Sequence, residues 1–198
     1  MRLQQTLIKR YSFEGKGLHT GKHARMTICP APEDYGIRFR RTDIGEDAYV
    51  EALAENVSNT ARSTTISCGE VSVSTIEHVL SALTGMGVDN ALIDIDNIEV
   101  PILDGSAKPY IDAIWADGFA VQDAPRRYIE IKETIEIRNE EKGSVVRIEP
   151  ADEFSYEIKI DFNSRVLGVQ HATWDDSTVY AEEIGTCRTF VFFHEIEF

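Results

Sequence analysis

The sequence predicts an α+β fold in two domains, residues 1–123 and 124–198. Three observations predict it. Strand-length apolar segments recur along the whole chain. The two clear helical patterns both fall before Gly118. The polar stretch Gln122-Asp123-Ala124-Pro125-Arg126-Arg127 then parts the second helix from a new set of strands and reads as a linker.

Taken in order, residues 6–13 read as a strand. Gly15-Lys16-Gly17-Leu18-His19-Thr20-Gly21 follows, three glycines in seven residues, a tight turn where backbone can approach a ligand closely. A plain hairpin loop fits it too, and the phosphate-loop pattern Gly-x-x-x-x-Gly-Lys-Ser/Thr is absent. Residues 24–29 form a second strand, ended by Pro30. Residues 37–41 alternate apolar and basic, so Arg38, Arg40 and Arg41 read as a solvated face. Hydroxyl-rich residues 59–65 precede a short strand at 70–73.

The next stretch, Ser74 to Asn90, organises the chain. Ser74 or Thr75 can cap a helix, and Glu77 stands three residues after Ser74, the capping-box spacing. Ile76, Val79, Leu80 and Leu83 make one apolar face, and Gly85 and Gly87 end the helix. Glu77 and His78 point about 100° apart around the axis. Such a pair can set an imidazole on a metal and a carboxylate beside the metal's water. From the spacing alone, a capping glutamate and a surface histidine are the simpler reading. Residues 91–95 are a strand, 99–107 a loop whose Asp104-Gly105 is a turn dipeptide, and Pro109 opens a helix through about Ala116, closed by Gly118. In the second half, strands are expected near 128–137, 144–149 and 155–162. A polar segment around Trp174 and a short helix over 178–184, capped by Asp176 or Ser177, follow. Phe190, Phe192, Phe193 and Phe198 then come with little chain left to cover them, so the chain is expected to end inside its second domain.

Composition narrows the function class. The 198 residues carry a net charge of -14, which argues against a nucleic-acid or anionic-membrane binder. No run approaches the roughly 18 apolar residues of a membrane span, and Met1-Arg2-Leu3-Gln4-Gln5 lacks a signal-peptide core. Cys29, Cys68 and Cys187 are scattered and in no CxxC pair, which reads as reduced thiols in a cytoplasmic protein.

Seven segments occurring in order carry a resemblance. They are Gly-Lys-Gly-Leu-His-Thr-Gly (15–21), Arg-Arg-Thr-Asp (40–43), Ser-Thr-Ile-Glu-His-Val-Leu-Ser-Ala-Leu (74–83), Gly-Val-Asp-Asn (87–90), Glu-Val-Pro-Ile-Leu-Asp-Gly-Ser-Ala (99–107), Ile-Asp-Phe-Asn (160–163) and Arg-Thr-Phe (188–190). Together they resemble the UDP-3-O-acyl-N-acetylglucosamine deacetylases, zinc hydrolases of early lipid A biosynthesis in Gram-negative bacteria. The resemblance implies two domains of similar topology, each a sheet packed with helices, facing one another across the active site. It implies His78 as the first zinc ligand, Glu77 as the general base, and Thr189 as the donor to the tetrahedral oxyanion. Asp161 and Phe162 match a segment associated with nucleotide binding, and Phe190 is placed with them as a substrate contact. His19 and Asp104 take supporting roles.

The chain departs from the family pattern in lacking the later His-Lys-x-x-Asp-type helix that completes the zinc site, the still later general-acid histidine, and the acyl-tunnel insert. His194-Glu195 lacks the spacing to replace them, and Arg62-Ser63-Thr64 stands where the acyl entrance should be more apolar. The resemblance therefore implies a truncated form of a zinc deacetylase acting on UDP-3-O-(3-hydroxyacyl)-N-acetylglucosamine, inactive alone. A fused hydroxyacyl-carrier-protein dehydratase in the parent is one possibility. The alternative is a non-catalytic nucleotide-sugar binding module.

Overall fold

Period-two alternation builds the central sheet. In the computed structural model, which describes residues 2–175 and 178–192, Ala24, Met26 and Ile28 are buried on one face of a strand while His23, Arg25 and Thr27 alternate with them. The chain divides into two compact units. Unit 1 holds Met1–Arg126 and the described residues from Tyr180 on; unit 2 is Arg127–Val179.

In chain order unit 1 contains β1 (Leu3–Leu7), β2 (Tyr11–Lys16), β3 (His23–Pro30), β4 (Ile37–Arg41), β5 (Tyr49–Glu51), β6 (Val57–Asn59), β7 (Thr65–Cys68) and β8 (Val71–Ser74). Helix α1 (Glu77–Gly85), β9 (Ala91–Ile95), α2 (Lys108–Ile114) and β10 (Phe119–Pro125) follow. The main sheet has the order β2-β3-β9-β4-β5, and β6-β7-β8 form a second sheet. Strand β9 is central: it runs antiparallel to β3, with Ile93 opposite Ile28, and parallel to β4, with Ile93 opposite Phe39. These three side chains are fully buried, as are Val79, Ala82 and Leu83 of α1 and Ile114 of α2 in the same core. Each large one contributes about 1.5–3 kcal/mol of burial free energy.

Several sequence expectations are corrected here. The expected strand over 6–13 is two strands in different sheets, because β1 pairs with β10 and β2 with β3, and the chain must turn between them. Residues 122–125, expected as linker, belong to β10, whose polar side chains serve buried partners: Gln122 donates to the Ala31 carbonyl and accepts from the Asn90 amide. Nor are the three arginines of β4 simply a solvated face. Arg41 is buried, forks onto Asp43 and donates to the Ser72 carbonyl. Arg40 forks onto Asp94, its neighbour across β9, while Arg38 lies over the Tyr35 ring and pairs with Glu51. Guanidinium groups tolerate such partial burial because their donors match a carboxylate two at a time.

Unit 2 consists of two hairpins. Strands β11 (Ile135–Asn139) and β12 (Ser144–Ile148) pair antiparallel, and β13 (Tyr156–Asp161) pairs with β14 (Val169–Trp174). The first strand starts later than expected, and β14 had read as a polar segment. Its alternation was masked by Gln170, His171 and Thr173, but it ends in Trp174, which stacks on Tyr156 with centroids 5.4 Å apart. The fold is thus mixed α+β, with several small sheets and few helices. The short helix expected over 178–184 is α3 (Tyr180–Glu183), which belongs to unit 1. Its expected caps Asp176 and Ser177, like Phe193, His194, Glu195 and Phe198, lie outside the described residues. Phe190 is half exposed, edge-on to Phe192. Among the described residues no helix is long and apolar enough to cross a membrane.

A buried polar knot fastens β1 and β10 to the sheet. Asn90 donates to Gln4 Oε1 and Gln122 Oε1, both at 2.8 Å, and accepts from the Gly36 N–H at 2.8 Å. Asn90→Ala removes all three hydrogen bonds, each worth about 0.5–1.5 kcal/mol net, although Gln4 Oε1 keeps the Asp34 N–H as a donor. The variant is expected to lower the unfolding free energy by roughly 2–4 kcal/mol in a urea titration. A loss under about 1 kcal/mol would show that the knot is not holding the edge strands.

Candidate functional site

The glycine-rich loop between β2 and β3 is closed by the Gly17 N–H donating to the Lys22 carbonyl. Gly17 has no freedom to be another residue. A Cβ there would lie 2.3 Å from Glu99 Oε2. The loop wraps a carboxylate.

That carboxylate is the centre of the arrangement. Glu99 is 1% exposed, yet charged. Its Oε1 accepts the His19 N–H at 2.9 Å and the Thr75 hydroxyl at 3.0 Å, and Oε2 accepts the Thr20 N–H at 2.7 Å. Burial pushes its pKa up, but the hydrogen bonds from His19, Thr20 and Thr75 outweigh that, and the group sits below the usual glutamate range. One oxygen therefore holds both the His19 loop and the residue that enters the helix of interest. Backbone bonds add to this: the Ser74 N–H donates to the Ile98 carbonyl, and the Val100 N–H to the Ser74 carbonyl.

Helix α1 begins at Glu77, after Ile76, with no side-chain cap. The expected capping box is not formed. Ser74 is the last residue of β8, and Thr75 turns the chain with a φ of +58°, its hydroxyl committed to Glu99. Glu77 reaches out of the helix instead, and its Oε2 accepts the Thr64 N–H at 3.0 Å. So Arg62-Ser63-Thr64, expected beside an acyl entrance, supplies a donor to Glu77. A carboxylate in a helix's first turn is also favoured by the helix dipole. His78 follows, half-buried. The apolar face is as expected, with Ile76, Val79 and Leu83 buried and Leu80 packed against them.

The 99–107 segment carries a second arrangement. Asp104 Oδ1 accepts the Ser106 hydroxyl at 2.7 Å and the Ser106 N–H at 3.0 Å. The Ser106 hydroxyl bond first, then its N–H and the Arg188 guanidinium 3.5 Å away, hold the Asp104 carboxyl below its ordinary range. Gly105, at φ +80°, turns its carbonyl to the Thr189 N–H at 2.8 Å. Asp104 and Thr189 are thereby brought together within unit 1, and Phe190 follows Thr189 at the surface. Asp161 and Phe162 belong to unit 2 at the end of β13, where Asp161 accepts the Asn163 N–H at 2.9 Å and Phe162 is half exposed.

Sequence reasoning missed Glu99, Thr75 and Thr64. For Glu99 a signal existed: a lone carboxylate inside the apolar run Ile98-Glu99-Val100-Pro101-Ile102. For metal binding, a catalytic zinc takes three protein ligands and an open position. Among the described residues no group of three His, Cys, Asp or Glu is placed to hold a metal. The described residues offer His78 without its partners, so they do not by themselves fit a complete zinc site.

A family model described as UDP-3-O-acyl N-acetylglycosamine deacetylase matches residues 4–198. The chain is 44% identical to the bifunctional enzyme LpxC/FabZ of Porphyromonas gingivalis over its whole length, and spans 43% of that protein. It is 42% identical to the UDP-3-O-acyl-N-acetylglucosamine deacetylase of Thioalkalivibrio sulfidiphilus, with 98% of the chain and 64% of the relative covered. Its identity to the deacetylase of Helicobacter hepaticus is 43%, with the same coverage. The chain thus spans about two fifths to two thirds of the length of these relatives.

Because the pKa of Glu99 is depressed in the folded state, its stabilisation is complete above the ordinary glutamate pKa of about 4.3 and is lost as pH falls below that toward the folded value. Glu99→Gln turns an amide donor toward backbone N–H groups. Near neutral pH it is expected to lose roughly 1.5–3 kcal/mol, the range for hydrogen bonds to a charged acceptor, and to show a flatter acid limb than the natural chain. Chemical denaturation between about pH 3 and 7 measures both. Parallel pH profiles for the two proteins would mean that Glu99 is not ionised in its niche.

Proposed function

The chain belongs to the UDP-3-O-acyl N-acetylglycosamine deacetylase family, and we propose on that basis that the protein carrying it removes the N-acetyl group from UDP-3-O-(3-hydroxyacyl)-N-acetylglucosamine. Acetate leaves and the free amine remains. The family is zinc-dependent and works in lipid A biosynthesis. One observation carries the proposal for this chain: the Glu77–His78 helix start and the Thr189 segment are both fastened to the 99–107 segment of unit 1, through Glu99 at one end and Gly105 at the other.

The roles follow from chemistry. Amide hydrolysis needs a water made nucleophilic near neutral pH, which bound zinc supplies by lowering the water's pKa to about 7. His78 would supply one imidazole ligand to that ion. Glu77 acts as general base and takes the proton of the attacking water. The Thr64 N–H fixes its carboxylate through one oxygen, which supports a single orientation. Thr189 donates its hydroxyl to the oxyanion as the tetrahedral intermediate forms. Asp104 and His19 hold the segments from which these groups project, while Asp161, Phe162 and Phe190 contact the substrate. Relatives of both kinds, the bifunctional LpxC/FabZ enzyme and the single-function deacetylases, match at similar identity, so a fused second domain in the parent protein is an open alternative.

Two substitutions in the full-length protein test the roles. Glu77→Gln is expected to keep its zinc and lose a factor of about 10²–10⁴ in kcat, the usual contribution of a general base. Metal content and turnover are read on one preparation, and loss of zinc would move Glu77 into the ligand set. Thr189→Val is expected to lower kcat about 10²-fold while KM changes little, because the donor is aimed at charge present only in the transition state. Equal changes in both constants would make Thr189 a ground-state substrate contact. Substrate binding without turnover in the unmodified full-length protein would favour a binding module.

A further inference from the structure

Helix α1 carries Glu77 at its first position, Ser81 one turn on and Gly85 two turns on, a slowly drifting stripe of one helix face. Tyr180 lies against that stripe. A Cβ at Gly85 would fall 2.3 Å from two atoms of the Tyr180 ring, so the ring rests on bare backbone. Its hydroxyl is 2.7 Å from the Ser81 hydroxyl. From Tyr180 the chain is held turn by turn. The Tyr180 carbonyl accepts the Ile184 and Gly185 N–H groups, the Ile184 carbonyl accepts the Cys187 N–H, and the Thr189 N–H ends on Gly105. Gly185 is buried against α2, where a Cβ would collide with Ile111 Cδ1.

We propose that Tyr180, seated in the notch at Gly85, is the positioning residue that sets Thr189 in register with Glu77. The base and the anchor of the oxyanion donor share one rigid helix. At about 1.5 Å rise per residue, Gly85 stands roughly 12 Å along α1 from Glu77. A ring seated there ties the arm 180–189 to the axis that carries the base, and Gly105 fixes the arm's far end. Nothing in this requires Tyr180 to touch substrate. The proposal rests on the reading of Thr189 as oxyanion donor.

Gly85→Ala tests it with little ambiguity. Alanine is the better helix former, so α1 itself should not weaken, and the nearest atoms the new methyl meets are those of Tyr180. Tyr180→Ala, which adds nothing to α1, is the companion variant should Gly85→Ala disturb folding. In the full-length protein both are expected to lose at least tenfold of the hydrogen-exchange protection at the Thr189 amide, while amides in the middle of α1 stay protected. Both should lower kcat about 10- to 100-fold, the scale of a 1 Å misplacement, with KM within about twofold. Added to Thr189→Val, neither should reduce kcat further. Unchanged protection at Thr189, or a full additional loss in the Thr189→Val background, overturns the proposal. If Thr189→Val alone leaves kcat intact, the reading of Thr189 fails, and the exchange result shows separately whether Tyr180 anchors the arm.

Discussion

A charged carboxylate at 1% exposure is the constraint on which the site depends. Glu99 has left water, and only a full set of donors makes that tolerable. Those donors come from two separate stretches of chain, the His19–Thr20 backbone and the Thr75 hydroxyl, and Gly17, in the same loop as His19, makes room by lacking a side chain. Moving any of the donors costs the buried carboxylate one of its hydrogen bonds. The left-handed Thr75, costly for a β-branched residue, is held in place by this demand, and it aims the chain into α1 so that Glu77 and His78 come first. The local geometry that looks like a missing helix cap is therefore the outcome of a stronger commitment elsewhere.

The same logic recurs in unit 1. Asn90 satisfies three partners where edge strands meet the sheet, and Arg41, buried at the end of β4, is matched by Asp43 and a carbonyl. Apolar packing of Phe39, Ile93, Val79 and Leu83 supplies the bulk of the stability. The polar knots supply register, because a carboxylate or an amide accepts few alternative arrangements while a leucine accepts many. The candidate side chains Glu77, His78 and Thr189 sit on segments whose direction hydrogen bonds to the 99–107 segment determine.

Much of this was legible in the sequence. Strand β4 follows from alternation, β3, β8 and β9 from short apolar runs, α1 from apolar spacing closed by glycine, and α2 from its opening proline and closing glycine. The ordered motifs carried the family. What the sequence hid was long-range pairing. No local pattern says that residues 119–125 pair with 3–7, because that strand's polar residues answer to Asn90 and Ala31 far away. The capping spacing Ser74 to Glu77 was a true local option, overridden because Glu99 claims Thr75 and Thr64 claims Glu77. The arginines of β4 misled for the same reason: their carboxylate partners lie in other segments, such as Asp94 in β9 and Glu51 in β5.

The chain leaves unit 1 after Arg126 and rejoins it at Tyr180. On a ribosome the arm that bears Thr189 is thus made only after the two hairpins of unit 2, which contribute nothing to the core cluster of unit 1. Such an interruption is mild at equilibrium, since loop-closure entropy grows by only about 0.6 kcal/mol for each doubling of loop length. Its effect is on timing. Sheet, Glu99 knot and α1 can all mature while unit 2 is still being synthesised, and the notch at Gly85 waits open until Tyr180 emerges. Seating of the Thr189 arm is then a step distinct from the folding of the scaffold that receives it.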